Sequence, residues 1–174
     1  MWVFEETLPD GRLLSKVIND DRENVKYLPG HRIPENICAV TDLIEAVDGA
    51  SILVFVLPHQ FMHKTCATIK GYLSDSCRAI SLIKGVDADC RGGLKRVSEI
   101  VMEQLGLREE QVAVLMGANI ADEVARGEFC EATIGCKSES FGNRLKLLFE
   151  LPHFRIQTSP DIVGVELCGA LKNV

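Results

Sequence analysis

Apolar residues in this chain of 174 fall into two kinds of run. One kind is short and continuous. Residues 51–57 read Ser-Ile-Leu-Val-Phe-Val-Leu and are apolar after Ser51, the pattern of a parallel strand covered on both faces. Residues 79–83 and 112–116 predict further buried strands, and 1–4, 37–40, 131–136 and 154–158 predict shorter or half-buried ones. The other kind recurs every three or four positions. Leu94, Val97, Ile100, Val101 and Leu105 share one helical face, and Gly106 supplies the stop. Residues 41–47 predict a helix capped by Thr41 or Asp42. Pro58 suits the first turn of a helix running to about Tyr72. Residues 13–18, 120–125 and 144–150 predict further helices, and Ser159, Pro160 and Asp161 start a last one through Lys172. Residues 27–31 and 33–34, with Gly85, Gly92 and Gly93, carry turn and loop chemistry.

Strand and helix alternate with short connections, which predicts an α/β fold with a doubly wound, mostly parallel sheet. The length suits one compact domain able to bury a sizeable core. The sequence has no internal repeat, no low-complexity stretch and no G-x-G-x-x-G.

Composition then narrows the function. A net charge of −6 without a basic run, and 6% aromatic residues, exclude nucleic acid as the expected partner. Seven cysteines with no C-x-x-C pair predict buried free thiols in a reducing compartment, Cys38 and Cys168 among them because both sit in apolar runs. The start lacks the pattern of a secretion signal, and the longest apolar run is too short to span a bilayer, so no membrane association and a cytoplasmic location are expected.

Ligands of open α/β sheets bind beyond the carboxyl ends of the strands. Glu5 and Glu6, Pro58-His59-Gln60-Phe61, Lys84-Gly85 and Gly117-Ala118-Asn119 follow predicted strands and should meet at that edge. Each has an ordinary alternative. Glu5 is either a ribose acceptor or a solvated loop carboxylate. Phe4 and Phe61 either flank a planar cofactor or pack in the core. Lys84 is an anion or carbonyl contact or a surface lysine, and Asn119 a ligand contact or a helix cap. Lys172, among Gly169, Ala170 and Leu171, either meets a ligand or complements its helix dipole. His59 and His63 lie four apart on a predicted helix, but Gln60 stands where a zinc protease needs glutamate and no third ligand is evident, so no metal is expected.

Several long stretches, in order, are specific as a set: residues 1–6, 23–31, 58–61, Ser81-Leu82-Ile83-Lys84-Gly85-Val86, Leu115-Met116-Gly117-Ala118-Asn119-Ile120-Ala121, 131–135 and Leu167-Cys168-Gly169-Ala170-Leu171-Lys172-Asn173-Val174. Together they resemble NAD-dependent glycerol-3-phosphate dehydrogenase, of the eukaryotic cytosolic type. The resemblance implies a Rossmann-like domain, NAD as cofactor, and hydride transfer between NADH and dihydroxyacetone phosphate to give glycerol 3-phosphate. It implies Lys172 as the catalytic lysine, polarising the ketone and donating a proton. Burial and a neighbouring cation would bring that lysine's pKa toward neutrality. Lys84 matches the second active-site lysine and contacts substrate, Asn119 orients substrate, and Asn173 assists. Phe4, Phe61 and Ala121 match positions lining the NAD site. Glu5, with Glu6, would favour NAD by repelling a 2′-phosphate.

The family opens with a strand and a glycine-rich turn before the position matched by Met1, and continues into a helical substrate domain after Val174. The resemblance therefore divides the chain into 1–158, a Rossmann-like domain incomplete at its N-terminus, and 159–174, the first helix leading into that further domain. Weak NAD binding, little activity and aggregation-prone strand edges are expected of the chain alone, with a homodimer expected at full length. The competing expectation is an inactive truncated product, or pseudoenzyme, that binds a full-length relative. A member of the wider 2-hydroxyacid or 6-phosphogluconate dehydrogenase group is a third.

Overall fold

The computed structural model describes residues 1–88 and 93–172. Asn173, Cys90 and Gly92 lie outside the described residues. The chain divides into two units, Met1–Asp48 and Gly49–Val174.

The first unit holds helix α1 (Leu14–Asp20), the hairpin of β1 (Glu23–Asn24) and β2 (Leu28–Arg32), and helix α2 (Leu43–Val47). Leu8, Leu14, Val17, Ile18 and Ala39 form its core. Asp42 caps α2, its carboxylate accepting from the Ile44 and Glu45 amides at 2.8 and 2.9 Å; such a cap contributes about 1 kcal/mol. Two expectations fail here. Most of 27–31 forms a strand rather than a loop: Leu28–Arg32 pairs with Glu23–Asn24, only Tyr27 stays in the turn, and Gly30, at a φ of +81° open to glycine, has its amide held by the Glu23 carboxylate at 2.7 Å. Residues 1–4 and 37–40 are not full strands. They meet in a single parallel bridge, Trp2 with Val40, and the chain leaves the pairing at Phe4, which is 72% exposed and has no face to bury.

The second unit is built on a five-stranded sheet, β3 (Ile52–Phe55), β4 (Arg78–Ser81), β7 (Val112–Met116), β8 (Cys130–Cys136) and β9 (Phe154–Ser159), in the spatial order β3-β4-β7-β8-β9. All neighbours are parallel except β7 and β8. Helices α3 (Met62–Ile69), α4 (Val97–Leu105) and α7 (Ile162–Leu171) pack together or on the central strands, and α6 (Glu139–Phe149) covers β8 and β9. Every residue of β7 is buried, which its uninterrupted apolar run requires.

Strand β3 departs from the expected two-sided burial. Leu53 and Phe55 are buried, but Val54 and Val56 are 45% and 69% exposed. Val54 stands in register with Ile80, on the side that α6 covers, and α6 lies over the far end of the sheet. The helix expected from Pro58 begins as a 3₁₀ turn, His59–Phe61, and ends at Ile69. Leu94 does not join the α4 face: a hairpin of β5 (Val86–Ala88) and β6 (Leu94–Arg96) occupies the expected loop, and Leu94 is exposed. Helix α4 ends at Gly106 with φ +69°, as expected. Helix α6 starts five residues before the predicted 144, capped by Ser138, and α5 (Ala121–Ala125) falls where predicted.

Cysteine burial also divides differently from expectation. Cys66, Cys77, Cys130 and Cys136 are buried, and burial pushes the Cys66 thiol up to about 11. Cys38 and Cys168, which the apolar runs placed inside, are exposed.

Candidate functional site

Strands β3, β4 and β7 run the same way, so their carboxyl ends share one edge of the sheet. The residues just beyond them are Val56 to Phe61, Leu82 to Lys84, and Gly117 to Asn119. A recess of about 400 Å³ opens there, walled by Val56, Leu57, Pro58, His59, Leu82, Ile83 and Lys84. Another hollow, of about 440 Å³, lies by Phe129, Leu151 and Arg155 at the starts of β8 and β9 and holds none of the expected site residues.

Lys84 is partly buried where β4 ends. Burial, and then the Lys172 charge nearby, holds its ammonium below the ordinary lysine range. Two lysines 88 positions apart in sequence are thus brought within electrostatic reach of each other. The lysine expected to be buried was Lys172, yet Lys172 is exposed and the burial falls on Lys84.

Lys172 reaches this edge because α7 lies close along the sheet. At its start, a Cβ on Gly135 would come within 2.9 Å of the Ile162 Cα and 3.0 Å of the Val165 Cβ. Near its end, a Cβ on Gly169 would lie 2.5 to 2.8 Å from the Met116 side chain. The helix therefore runs from Gly135, next to last in β8, to Met116, the last residue of β7, and sets Lys172 beside the carboxyl edge. The small residues before Lys172 make room for β7.

Asn119 is fixed by its amide, which donates to the Glu131 carbonyl at 3.0 Å. Gly117 permits this seat, since a Cβ there would lie 2.3 Å from the Asn119 Oδ1 and 2.6 Å from the Glu131 carbonyl oxygen. Ala121 is exposed on the first turn of α5, two residues on. Phe61 is 50% exposed beside the recess-lining His59, so it is not a core residue. His59 and His63 do not share a helix face. His59 sits in the 3₁₀ turn facing Gly85, and His63 in α3 has its Nε2 3.1 Å from the Asp87 Oδ2 and its Nδ1 against the Gln104 amide.

Phe4 and Glu5 belong to the first unit. The Glu5 carboxylate accepts from the Ser15 hydroxyl at 2.5 Å and the Ser15 amide at 3.2 Å, which lowers its pKa. It therefore caps the first turn of α1, a role outside both alternatives weighed from sequence. Glu6 similarly accepts from the Tyr27 hydroxyl and Lys26.

One residue near the lysines escaped notice in the sequence. Glu166 of α7 is fully buried, and burial raises its pKa against the opposing effect of its hydrogen bonds from Ser98. The signal was available: it is the one charged residue in the ten of α7.

Residues 1–142 match the family described as NAD-dependent glycerol-3-phosphate dehydrogenase N-terminus. The chain is 53% identical over 174 residues to the cytoplasmic NAD(+) glycerol-3-phosphate dehydrogenase of Rattus norvegicus, covering all of this chain and 48% of that one. It is 52% identical to the Homo sapiens counterpart over the same shares. Among solved structures it is similar to glycerol-3-phosphate dehydrogenase of Saccharomyces cerevisiae, with a TM-score of 0.89 and 39% identity over 99% of this chain and 50% of that chain. The chain spans about half the length of the curated relatives it matches.

Proposed function

Since this chain belongs to the NAD-dependent glycerol-3-phosphate dehydrogenase family, we propose that it carries the lysine and asparagine side of a site for reversible reduction of dihydroxyacetone phosphate to glycerol 3-phosphate. The observation that carries this reading is the meeting of Lys84 and Lys172 at the carboxyl edge of the sheet. Two cations together suit a substrate bearing a phosphate dianion and a carbonyl that becomes an alkoxide.

NAD, when bound, supplies or accepts the hydride. The fit of the chain to a planar cofactor ring rests on the recess walled by Val56, Leu57, Pro58, Leu82 and Ile83, and on Phe61, which leaves an aromatic face exposed beside it. Phe4 and Ala121 are the other proposed cofactor contacts. Glu5, kept ionised by Ser15, is the proposed acceptor for ribose hydroxyls. Lys172 is the proposed general acid: its ammonium polarises the ketone oxygen and gives it a proton as the alkoxide forms. Lys84 is the proposed contact for negative charge of the substrate, its own ammonium disfavoured by burial and then by the Lys172 charge. Asn119, fixed by the Glu131 carbonyl, is the proposed residue that orients the substrate, and Asn173 is proposed to assist. The relatives are named cytoplasmic, and the cytoplasm is the proposed place of action.

The test is steady-state kinetics of the full gene product with dihydroxyacetone phosphate and NADH. Lys172→Met is expected to lower kcat by about 10²- to 10⁴-fold, the range of a lost general acid. A kcat within about twofold of the parent would overturn the assignment.

A further inference from the structure

Helix α7 is apolar on almost every side, yet Glu166 in its middle is fully buried. A hydrophobic residue would pack there without the desolvation penalty that a buried carboxylate carries. The carboxylate accepts from the Ser98 amide at 2.9 Å and from the Ser98 hydroxyl at 2.5 Å, both in the first turn of α4. The Arg96 guanidinium stands 3.6 Å away and also binds Glu99 at 2.7 Å.

Arg96 closes a circuit back to the site. It pairs across the hairpin with Val86, two residues after Lys84. Glu166 lies six residues before Lys172 on a single helix. The path from one lysine to the other therefore runs from Lys84 through Val86, Arg96 and Glu166 to Lys172, by a strand pairing, an ion pair and a helix. We propose that Glu166 is a positioning residue: by fastening α7 to Arg96 and Ser98, it sets the separation of Lys172 from Lys84. The inference rests on the reading of those lysines as one site. A buried polar contact specifies one register of α7 where a purely apolar interface tolerates sliding.

The test reads Lys84 directly and needs no turnover. Trace acetylation with acetic anhydride across a pH series, followed by peptide mass spectrometry, gives the titration midpoint of Lys84 in the purified protein. In the parent, Lys172→Met is expected to move that midpoint upward. In a Glu166→Leu background the same substitution is expected to produce less than half of that movement. Where circular dichroism shows Glu166→Leu unfolded, Ser98→Ala takes its place, since it removes one hydrogen bond and keeps the carboxylate. An equal movement in both backgrounds overturns the proposal and leaves the lysine pair standing, including when Glu166→Leu merely lowers the melting temperature. No movement in the parent overturns the lysine pair itself, and the proposal with it.

Discussion

Glu166 makes its environment measurable through pH. Burial raises its pKa above the ordinary 4.5, so between that value and the folded one the folded chain holds a proton that the unfolded chain releases, and above the folded value both are ionised. Its contribution to stability is fully present below that ordinary value and is lost as pH rises through the folded value. Glu166→Gln removes this titration while keeping the side-chain shape. The stability difference between the two proteins, read from urea midpoints, is therefore expected to move in favour of Glu166→Gln as pH rises from the ordinary 4.5 through the folded value. A difference that stays constant over that range would mean that the carboxyl does not titrate differently on folding. Lys84 shifts the opposite way for the same reason: its lowered pKa means that the fold disfavours its ammonium, with burial first and Lys172 second.

At the scale of elements, the approach of α7 to β7 and β8 depends on two positions without side chains. Gly169→Ala would place a methyl 2.8 Å from the Met116 Cβ, too close for the methionine to clear by turning its thioether alone. The expected loss is about 1–3 kcal/mol, the range for overpacking a well-filled interior. Thermal unfolding measures it, and Met116→Ala in the same chain should recover part of the loss. A melting temperature unchanged by Gly169→Ala would show that α7 lies further from the sheet. The elements themselves were largely legible in the sequence. The continuous runs at 51–57, 79–83 and 112–116 became β3, β4 and β7, and Asp42 and Gly106 bound their helices as their chemistry predicts. Leu94 misled because it continues the helical period of α4 by accident, whereas backbone pairing of Leu94–Arg96 with Val86–Ala88 decides its strand. Such pairing joins residues through main-chain groups and leaves no periodic trace in side chains.

At the scale of the whole molecule, β3 lies at one end of the five-stranded sheet and pairs, among the described residues, with β4 alone, and Val54 and Val56 beside that edge are exposed. An unpaired apolar edge is a template for pairing with another chain. The 174-residue chain is expected to self-associate with rising concentration in sedimentation velocity, and Val54→Lys to reduce that association. A monomer at every concentration would show that the edge is protected. The net charge of −6 opposes such association only weakly once salt screens it.

The sequence by itself determined the alternation of strands and helices, the parallel core of the sheet and the identity of most candidate site residues, because burial on both faces and helix capping are written in local patterns. Serial matches also carried the family, since their order along the chain is itself information. Only the tertiary structure decided that Lys84 is the more enclosed of the two lysines, that Glu5 caps a helix, that Cys38 and Cys168 face solvent, and that Glu166 is enclosed beside Ser98 and Arg96. The physical reason is common to all four. Exposure and electrostatic environment are set by which distant segments pack against a residue, and those neighbours are remote in sequence.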